Sequence, residues 1–391
     1  MATEKVTETK RRRPWGRVIL TALLLLAAIV AFLFLRYVTG MLPGEQAAGR
    51  WAGDAGRFAQ VTAFLPEHLG LNQETMDGIP RGIHDGIVEQ GLDPNLPENT
   101  FAYAFASSAQ PLQVSSYRRG PAEVFATGVG GNFFLFQPVN LISGSYLPAD
   151  GVNQDMVLID ADLAWDLFSA TDVAGKTVYI SGIPYLISGV YRPFRDFASR
   201  ASYSERPHLF FYYGALRAGP ITMVQVVLPN PISGLGEELL QDAMESAVSE
   251  GDRASLVVVQ NSGRYRIPAL WGVIRSFGQR SMVQTGLLLP YWENAARMAE
   301  DFAALMIVLL FLLLLYPAFG ALRLICRAWR RRKWRFFRSA WKKADDKREE
   351  KREARWRGQA AAREADIEVQ YDLDEIIRSV RESEAYHETE M

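Results

Sequence analysis

Residues 144–193 read GSYLPADGVNQDMVLIDADLAWDLFSATDVAGKTVYISGIPYLISGVYRP. The apolar run 156–159 has the length of a buried strand. Asp160 follows it, a residue type favoured at a helix N-cap, and Leu163, Leu167 and Phe168 then give residues 161–168 an apolar helical face. Gly175-Lys176 turns the chain into a strand at 177–180. Ser181-Gly182 turns it again into 183–191, so the second half predicts a β-hairpin. Inside this stretch, residues 170–177 (ATDVAGKT) satisfy the loose nucleotide-binding P-loop pattern, with Ala170 in place of the first glycine. A P-loop needs strand, glycine-rich loop and then a helix whose free N–H groups meet the phosphates. Here the order is helix, loop, strand, and no nucleotide site is expected.

Outward from this block, Met76, Ile79, Ile83 and Ile87 recur at helical spacing within residues 72–90. Strand-like segments separated by Gly, Pro and polar turns follow at 101–107, 112–117, 122–127 and 132–136. Beyond the block come strand-like runs at 208–216 and 221–229, a helix at 235–248 and a strand at 254–260. Glu237-Glu238 suit the first turn of that helix, where negative charge meets the dipole. The fold class predicted is α+β.

The same fifty residues resemble the extracytoplasmic core domain of MacB/FtsX-type ABC transporter permeases. The features that carry the likeness are Gly144 and Asp150, the strand 156–159, Leu167-Phe168, Asp172, Ala174-Gly175-Lys176, and Ile183 with Gly189-Val190. Ala174 stands where that family often has Val. The motif consists of turns and core positions, with no catalytic side chain. The likeness implies an α+β domain outside the membrane in a non-catalytic subunit. Permeases of that family have four membrane helices, whereas this sequence has two segments of that kind.

Those segments are residues 18–38, interrupted only by Thr21 and Arg36, and residues 302–326, with Pro317 and Gly320 near the far end. Each is long enough to cross a bilayer and closes its backbone hydrogen bonds internally. A cleaved signal peptide is the competing reading of the first, with Gln46-Ala47-Ala48-Gly49 as a cleavage candidate; the length of the apolar run favours an anchor. The 43 Lys and Arg nearly balance 44 Asp and Glu, but they are segregated along the chain. Lys10, Arg11, Arg12, Arg13 and Arg17 precede the first segment, and Arg323, Arg327, Arg330, Arg331, Arg332 and Lys333 follow the second. The positive-inside rule then places both termini in the cytoplasm. The expected organisation is a basic cytoplasmic N-terminus (1–17), membrane helix (18–38), extracytoplasmic core domain (39–266), interfacial stalk (267–301), membrane helix (302–326) and cytoplasmic tail (327–391), in a cell (inner) membrane.

The stalk carries Trp271, Ile274, Phe277, Leu287, Leu288, Leu289, Tyr291 and Trp292, apolar and aromatic residues suited to the bilayer surface; a groove for a lipid-like substrate is the alternative. In the tail, RAWRRRKWRFFRSAWKK (327–343) interleaves cations with Trp329, Trp334, Phe336, Phe337 and Trp341. Nucleic-acid stacking is one reading of such a stretch. Beside a membrane the better one is an interfacial helix, its rings in the headgroup zone and Arg331 and Arg332 among the cations drawn to anionic lipid. Residues 344–365 predict a solvated helix with Glu349–Arg352 and Glu353–Arg357 pairs. Leu373, Ile376, Ile377 and Val380 then form an i, i+3, i+4, i+7 stripe, either docking on a cytoplasmic partner or belonging to a disordered tail.

No catalytic constellation stands out. His68, His84, His208 and His387 show no metal-ligand spacing. Ser339-Ala-Trp-Lys342 is a chance Ser-x-x-Lys in the tail. Lys176 suits a solvated turn better than an anion site. Cys326, the single cysteine, excludes a disulfide framework and sits at the inner end of the second helix, where palmitoylation is one option. The expectation is no enzyme, no metal and no cofactor. By resemblance, the chain serves a complex with a cytoplasmic ABC ATPase and an FtsX-like permease or a second copy of itself; the alternative is a membrane-anchored receptor working without an ATPase.

Overall fold

In the computed structural model the described residues are all but 1–14, 53–56, 92–99, 150–152, 204–205, 217, 278–286 and 389–391, with side chains also left aside at 52, 333–337, 364–372, 374–375 and 380–388. Two compact units result, Met1–Leu313 and Leu314–Met391.

The first unit opens with helix α1 (Trp15–Gly40), and the short α2 (Ala47–Ala52) leads into strand β1 (Phe58–Phe64). Helix α3 (Gln73–Glu89) is capped by Asn72, whose side chain accepts from the Thr75 amide, and buries the sequence-predicted stripe Met76, Ile79, Ile83 and Ile87. Pro80 is tolerated inside it. Strands β2 (Ala102–Ser107), β3 (Gln110–Ser115) and β4 (Ala122–Gly131) follow. The aromatic run after them, expected as a strand, is instead the one-turn helix α4 (Phe133–Phe136). Gly131, at φ +63°, ends β4, and a single turn then puts Phe133 and Phe136, three apart, together in the core. A strand would have sent two residues three apart to opposite faces.

Strand β5 (Asn140–Gly144) begins the block that the sequence describes most fully: β6 (Met156–Asp160), α5 (Ala161–Phe168), β7 (Thr177–Ile180) and β8 (Ile183–Arg192). Asp160 is the N-cap of α5, accepting from the Asp162 amide at 3.0 Å. Ser181 and Gly182, both at positive φ, form the two-residue turn of the β7–β8 hairpin, the geometry that matches strand twist. The order helix, loop, strand at residues 161–180 removes the P-loop reading. Next come α6 (Phe197–Ser202), β9 (His208–Tyr212), β10 (Ile221–Pro229), α7 (Leu235–Ala247), β11 (Val257–Gln260) and α8 (Ile267–Arg275).

Pairing divides the strands into two bodies. β2 and β3 lie end to end along the same side of β4, Ala104 opposite Gly131 and Gln110 opposite Ala126, so residues 102–115 act as one long strand bent at Ser107-Ser108-Ala109. On one side of the bend, β3, β7, β8, β6, β9 and β4 each pair with the next, and β4 pairs back with β3, closing a ring. Alternate residues of all six strands, among them Val114, Val124, Val178, Ile187, Ile159 and Leu209, form one buried cluster with α5. On the other side, β2 continues into an open sheet in the order β2-β10-β1-β11. Its one face, including Ala59, Val61, Ala63, Val224 and Val226, is covered by α3 and α7. Its other face meets α2 and α4 and carries the side chains described next.

Helix α9 (Tyr291–Glu388) is helical through both units. Two spans are long and apolar enough to cross a membrane: Trp15–Gly40 and Tyr291–Arg332. The second begins eleven residues before the 302–326 span expected from hydropathy. Within the first unit, Ala295, Ala299 and Ala303 on α9 pack with Val38 at the end of α1, with Leu42 just after it, and with Leu270 and Val273 of α8. Small residues at helical spacing allow such close approach.

Candidate functional site

On the second face of the open sheet, between Phe58 and Phe64, two positions of β1 are polar and buried: Gln60 and Thr62 are both fully covered. In a strand whose odd positions feed an apolar core, this is the face that needs partners. Thr62 lies opposite Gln225 of β10, whose amide donates to the Thr62 hydroxyl at 2.9 Å. Gln137 donates in turn to Gln225 at 3.2 Å. In the other direction, Thr62 donates to Asn261 Oδ1 at 2.7 Å, and Asn261 Nδ2 donates to Glu45 Oε2 at 2.9 Å. Gln60 ties the same turn down, accepting from the Ala47 amide at 2.9 Å and donating to the Gly44 carbonyl at 2.6 Å.

This chain of hydrogen bonds ends on an ionic cluster. Arg264, on the turn after β11, is 4% exposed and reaches three carboxylates: Glu45 at 3.1 Å, Glu293 and Glu300. Arg297 braces Glu293 one helical turn away at 3.0 Å. Glu45 follows α1, whereas Glu293, Arg297 and Glu300 lie on the first turns of α9. One guanidinium therefore joins the sheet to the ends of both candidate membrane helices. Burial works against its charge, but Glu293, Glu45 and Glu300 outweigh it and hold the Arg264 pKa well above the ordinary value. Burial pushes Glu45 up from the carboxylate range, with Arg264 opposing the shift. A planar guanidinium fork suits several carboxylates at once in a way an ammonium does not.

Beside the cluster lies an aromatic group. The rings of Tyr203 and His208 stand 5.0 Å apart; Tyr291 meets them at 4.8 and 5.5 Å and Trp292 at 5.0 Å. The Tyr203 hydroxyl donates to Asp160 at 2.5 Å. Burial raises the Asp160 pKa, with the bond from Tyr203 opposing it, and burial lowers His208 to about 4. A cavity of about 280 Å³ opens here between the bend in β2–β3 and the start of α9. Ser108 Oγ, Ser202 Oγ, His208 Nδ1, Trp292 Nε1 and Asn294 Oδ1 line it, all buried without a hydrogen-bond partner.

The residues singled out from the sequence lie elsewhere. Trp329, Arg331, Arg332 and Trp341 are exposed on α9, and the side chains of Trp334, Phe336 and Phe337 fall outside the described residues. Leu373, Ile376 and Ile377 are exposed along the helix, and the Val380 side chain is likewise outside the described residues. Glu353 and Arg357 pair at 3.2 Å. In the stretch expected as a stalk, Leu287 and Trp292 pack into the sheet's second face. Lys176 Nζ sits over the Phe168 ring at 5.5 Å. No group of three or more metal-ligating side chains occurs among the described residues.

The profile of the MacB-like periplasmic core domain matches residues 28–231, more than half of the chain, and the protein belongs to that family. It is thus a MacB/FtsX-like, membrane-associated protein with an extracytoplasmic domain and a non-catalytic, transport-related role. Three solved structures are similar. The periplasmic region of MacB from Actinobacillus actinomycetemcomitans aligns with a TM-score of 0.37 at 14% identity, over 60% of this chain and 96% of its own. The extracellular domain of the noncanonic ABC-type transporter YknZ from Gram-positive bacteria aligns at 0.33 and 13%, over 52% and 100%. A permease-protein domain from Porphyromonas gingivalis aligns at 0.33 and 14%, over 56% and 91%. No curated protein matches the chain.

Proposed function

We propose that this protein is a membrane subunit of an ABC-type export or mechanotransmission complex whose outer domain relays movement powered by an ATPase elsewhere in the complex. The observation that supports the reading most directly is Arg264. It binds the turn after α1, the edge of the open sheet and the start of α9 into one buried cluster, so displacement of either helix is carried into the sheet rather than absorbed by a loose linker. Both termini lie in the cytoplasm in this reading, in accord with the positive charges flanking the two spans. The partners are a cytoplasmic ABC ATPase and an FtsX-like permease or a second copy of the chain. The exposed Leu373, Ile376 and Ile377, with Val380, are the docking stripe, and the basic-aromatic segment around Trp329–Trp341 holds anionic lipid.

The test is recovery of the tagged full-length protein in mild detergent from its own host, followed by mass spectrometry. The expected result is co-recovery of an ATPase and a permease, lost when residues 372–391 are deleted. Their repeated absence overturns the proposal and leaves the second reading, a membrane-anchored receptor. That reading is favoured by the cavity beside His208, whose unpartnered donors and acceptors suit a small polar ligand.

A further inference from the structure

Where β8 ends at Arg192, the chain turns through Pro193, Phe194 and Arg195 into α6, and Phe197 opens that helix. The Phe197 ring lies 6.3 Å from Phe34 of α1, stacked, and 4.9 Å from Phe302 of α9, edge to face. Ala198 is buried in the same cluster as Val38 and Ala303. Phe34 lies six residues before the end of α1, roughly 9 Å along the helix axis at 1.5 Å per residue. Phe197 therefore reaches the rim of the apolar layer, and its neighbours stand at the depth of lipid headgroups. Arg36 of α1, two residues past Phe34, is exposed at the same end.

A cleft of about 480 Å³ opens around this helix, lined by Arg192, Arg195, Arg200 and Arg206 together with Asp160 and Asp162. The charges do not balance. Arg206 is taken up by Glu123 at 3.1 Å, and Asp160 is buried with its carboxylate bonded by Tyr203. That leaves Asp162 against Arg192, Arg195 and Arg200, three exposed guanidiniums without an ion pair among the described residues. Converging like charges repel unless an anion sits among them, and guanidinium forks match the oxygens of a phosphate. We propose that this cleft binds the phosphate of an anionic phospholipid in the leaflet next to the core domain. Its depth beside Phe197 favours a lipid over a dissolved phosphate, because the acyl chains of a bound lipid then lie along α1 and α9. Phosphatidylcholine carries the same phosphate but its own ammonium offsets it, so the surplus of guanidinium selects lipids with net negative charge.

The test uses the full-length chain in nanodiscs of phosphatidylcholine with a minor share of phosphatidylglycerol, read by native mass spectrometry as phosphatidylglycerol retained per chain. The triple variant R192Q/R195Q/R200Q is expected to retain at least about threefold less, while R192K/R195K/R200K, which keeps the charge, retains most of it. A matched R330Q/R331Q/R332Q variant separates the contribution of the basic-aromatic segment of α9. Equal retention by the Gln variant and the parent, at equal thermal stability, overturns the site. Displacement of the retained lipid by millimolar inorganic phosphate overturns the lipid assignment and makes the cleft a site for dissolved phosphate.

Discussion

His208 shows how one side chain can set a pH response. Its ring sits 5% exposed among Phe125, Tyr203 and Tyr291, with Nδ1 unpartnered, and burial lowers its pKa to about 4 from the ordinary 6.5. Between those values the unfolded chain binds a proton that the folded chain refuses, so the stability His208 permits is fully present above about pH 6.5 and falls as pH drops toward 4. The limit is about 3 kcal/mol for a shift of this size. Asp160 acts in the opposite sense, because its raised pKa lets the folded state take up a proton first as pH falls. His208→Phe keeps the ring packing and removes the titration. Thermal unfolding of the purified full chain is expected to lose most of its sensitivity between pH 6.5 and 4.5 in this variant, with stability near pH 5 raised by on the order of 1–2 kcal/mol. An unchanged profile would assign the acid sensitivity to other groups.

At the scale of elements, Gly144 and Gly189 explain what the family-like motif is for. They are cross-strand partners in the β5–β8 pair. Gly144 has φ +75°, and a Cβ there would stand 2.2 Å from the Ser188 carbonyl oxygen and 2.8 Å from the Ala174 side chain. Ser143 donates to Asp172 at 2.6 Å across the same contact. The glycine, the acidic loop and the small residue before Gly175 are thus one close approach of backbones. Gly144→Ala is expected to cost at least about 2 kcal/mol through backbone strain and overlap. Chemical denaturation would register it as a lower midpoint, while Gly182→Ala, at positive φ but in open space, should cost less. This block was legible in the sequence because its determinants are local: a cap, two turns and an alternation. β1 was not, since Gln60 and Thr62 interrupt its apolar pattern; Gln60 is explained by the turn at Gly44 and Ala47, and Thr62 by Asn261 and Gln225, far away in the chain. The ionic cluster was illegible for the same reason. Glu45 and Arg264 are ordinary polar residues until the sheet brings them together; the one local hint was Glu293, Arg297 and Glu300 recurring on one helical face just ahead of an apolar run.

For the molecule as a whole, the division between closed ring and open sheet makes the coupling separable from the fold. The ring's core contains no residue of the ionic cluster; the two bodies share the long strand 102–115 and its partner β4 and meet through Leu158, Tyr191 and Phe210, which lie outside that core. Removing Arg264 as Arg264→Met leaves three carboxylates facing one another out of water, an arrangement that costs on the order of 3–5 kcal/mol. That cost should fall locally, on the turn at Glu45 and the first turns of α9, before it reaches the ring. Hydrogen exchange of the full chain in detergent is expected to speed up at residues 42–47 and 291–300 in this variant, with protection unchanged in β6, β7 and β8. Arg264→Lys keeps one charge but loses the fork, and should fall between the two. If exchange instead rises evenly through the ring, Arg264 holds the whole fold together and is not a joint between the sheet and the helices. A joint transmits displacement only while its own bonds are stiffer than the linkers beside it, so in that case the relay would have to run through the apolar packing of α1, α8 and α9.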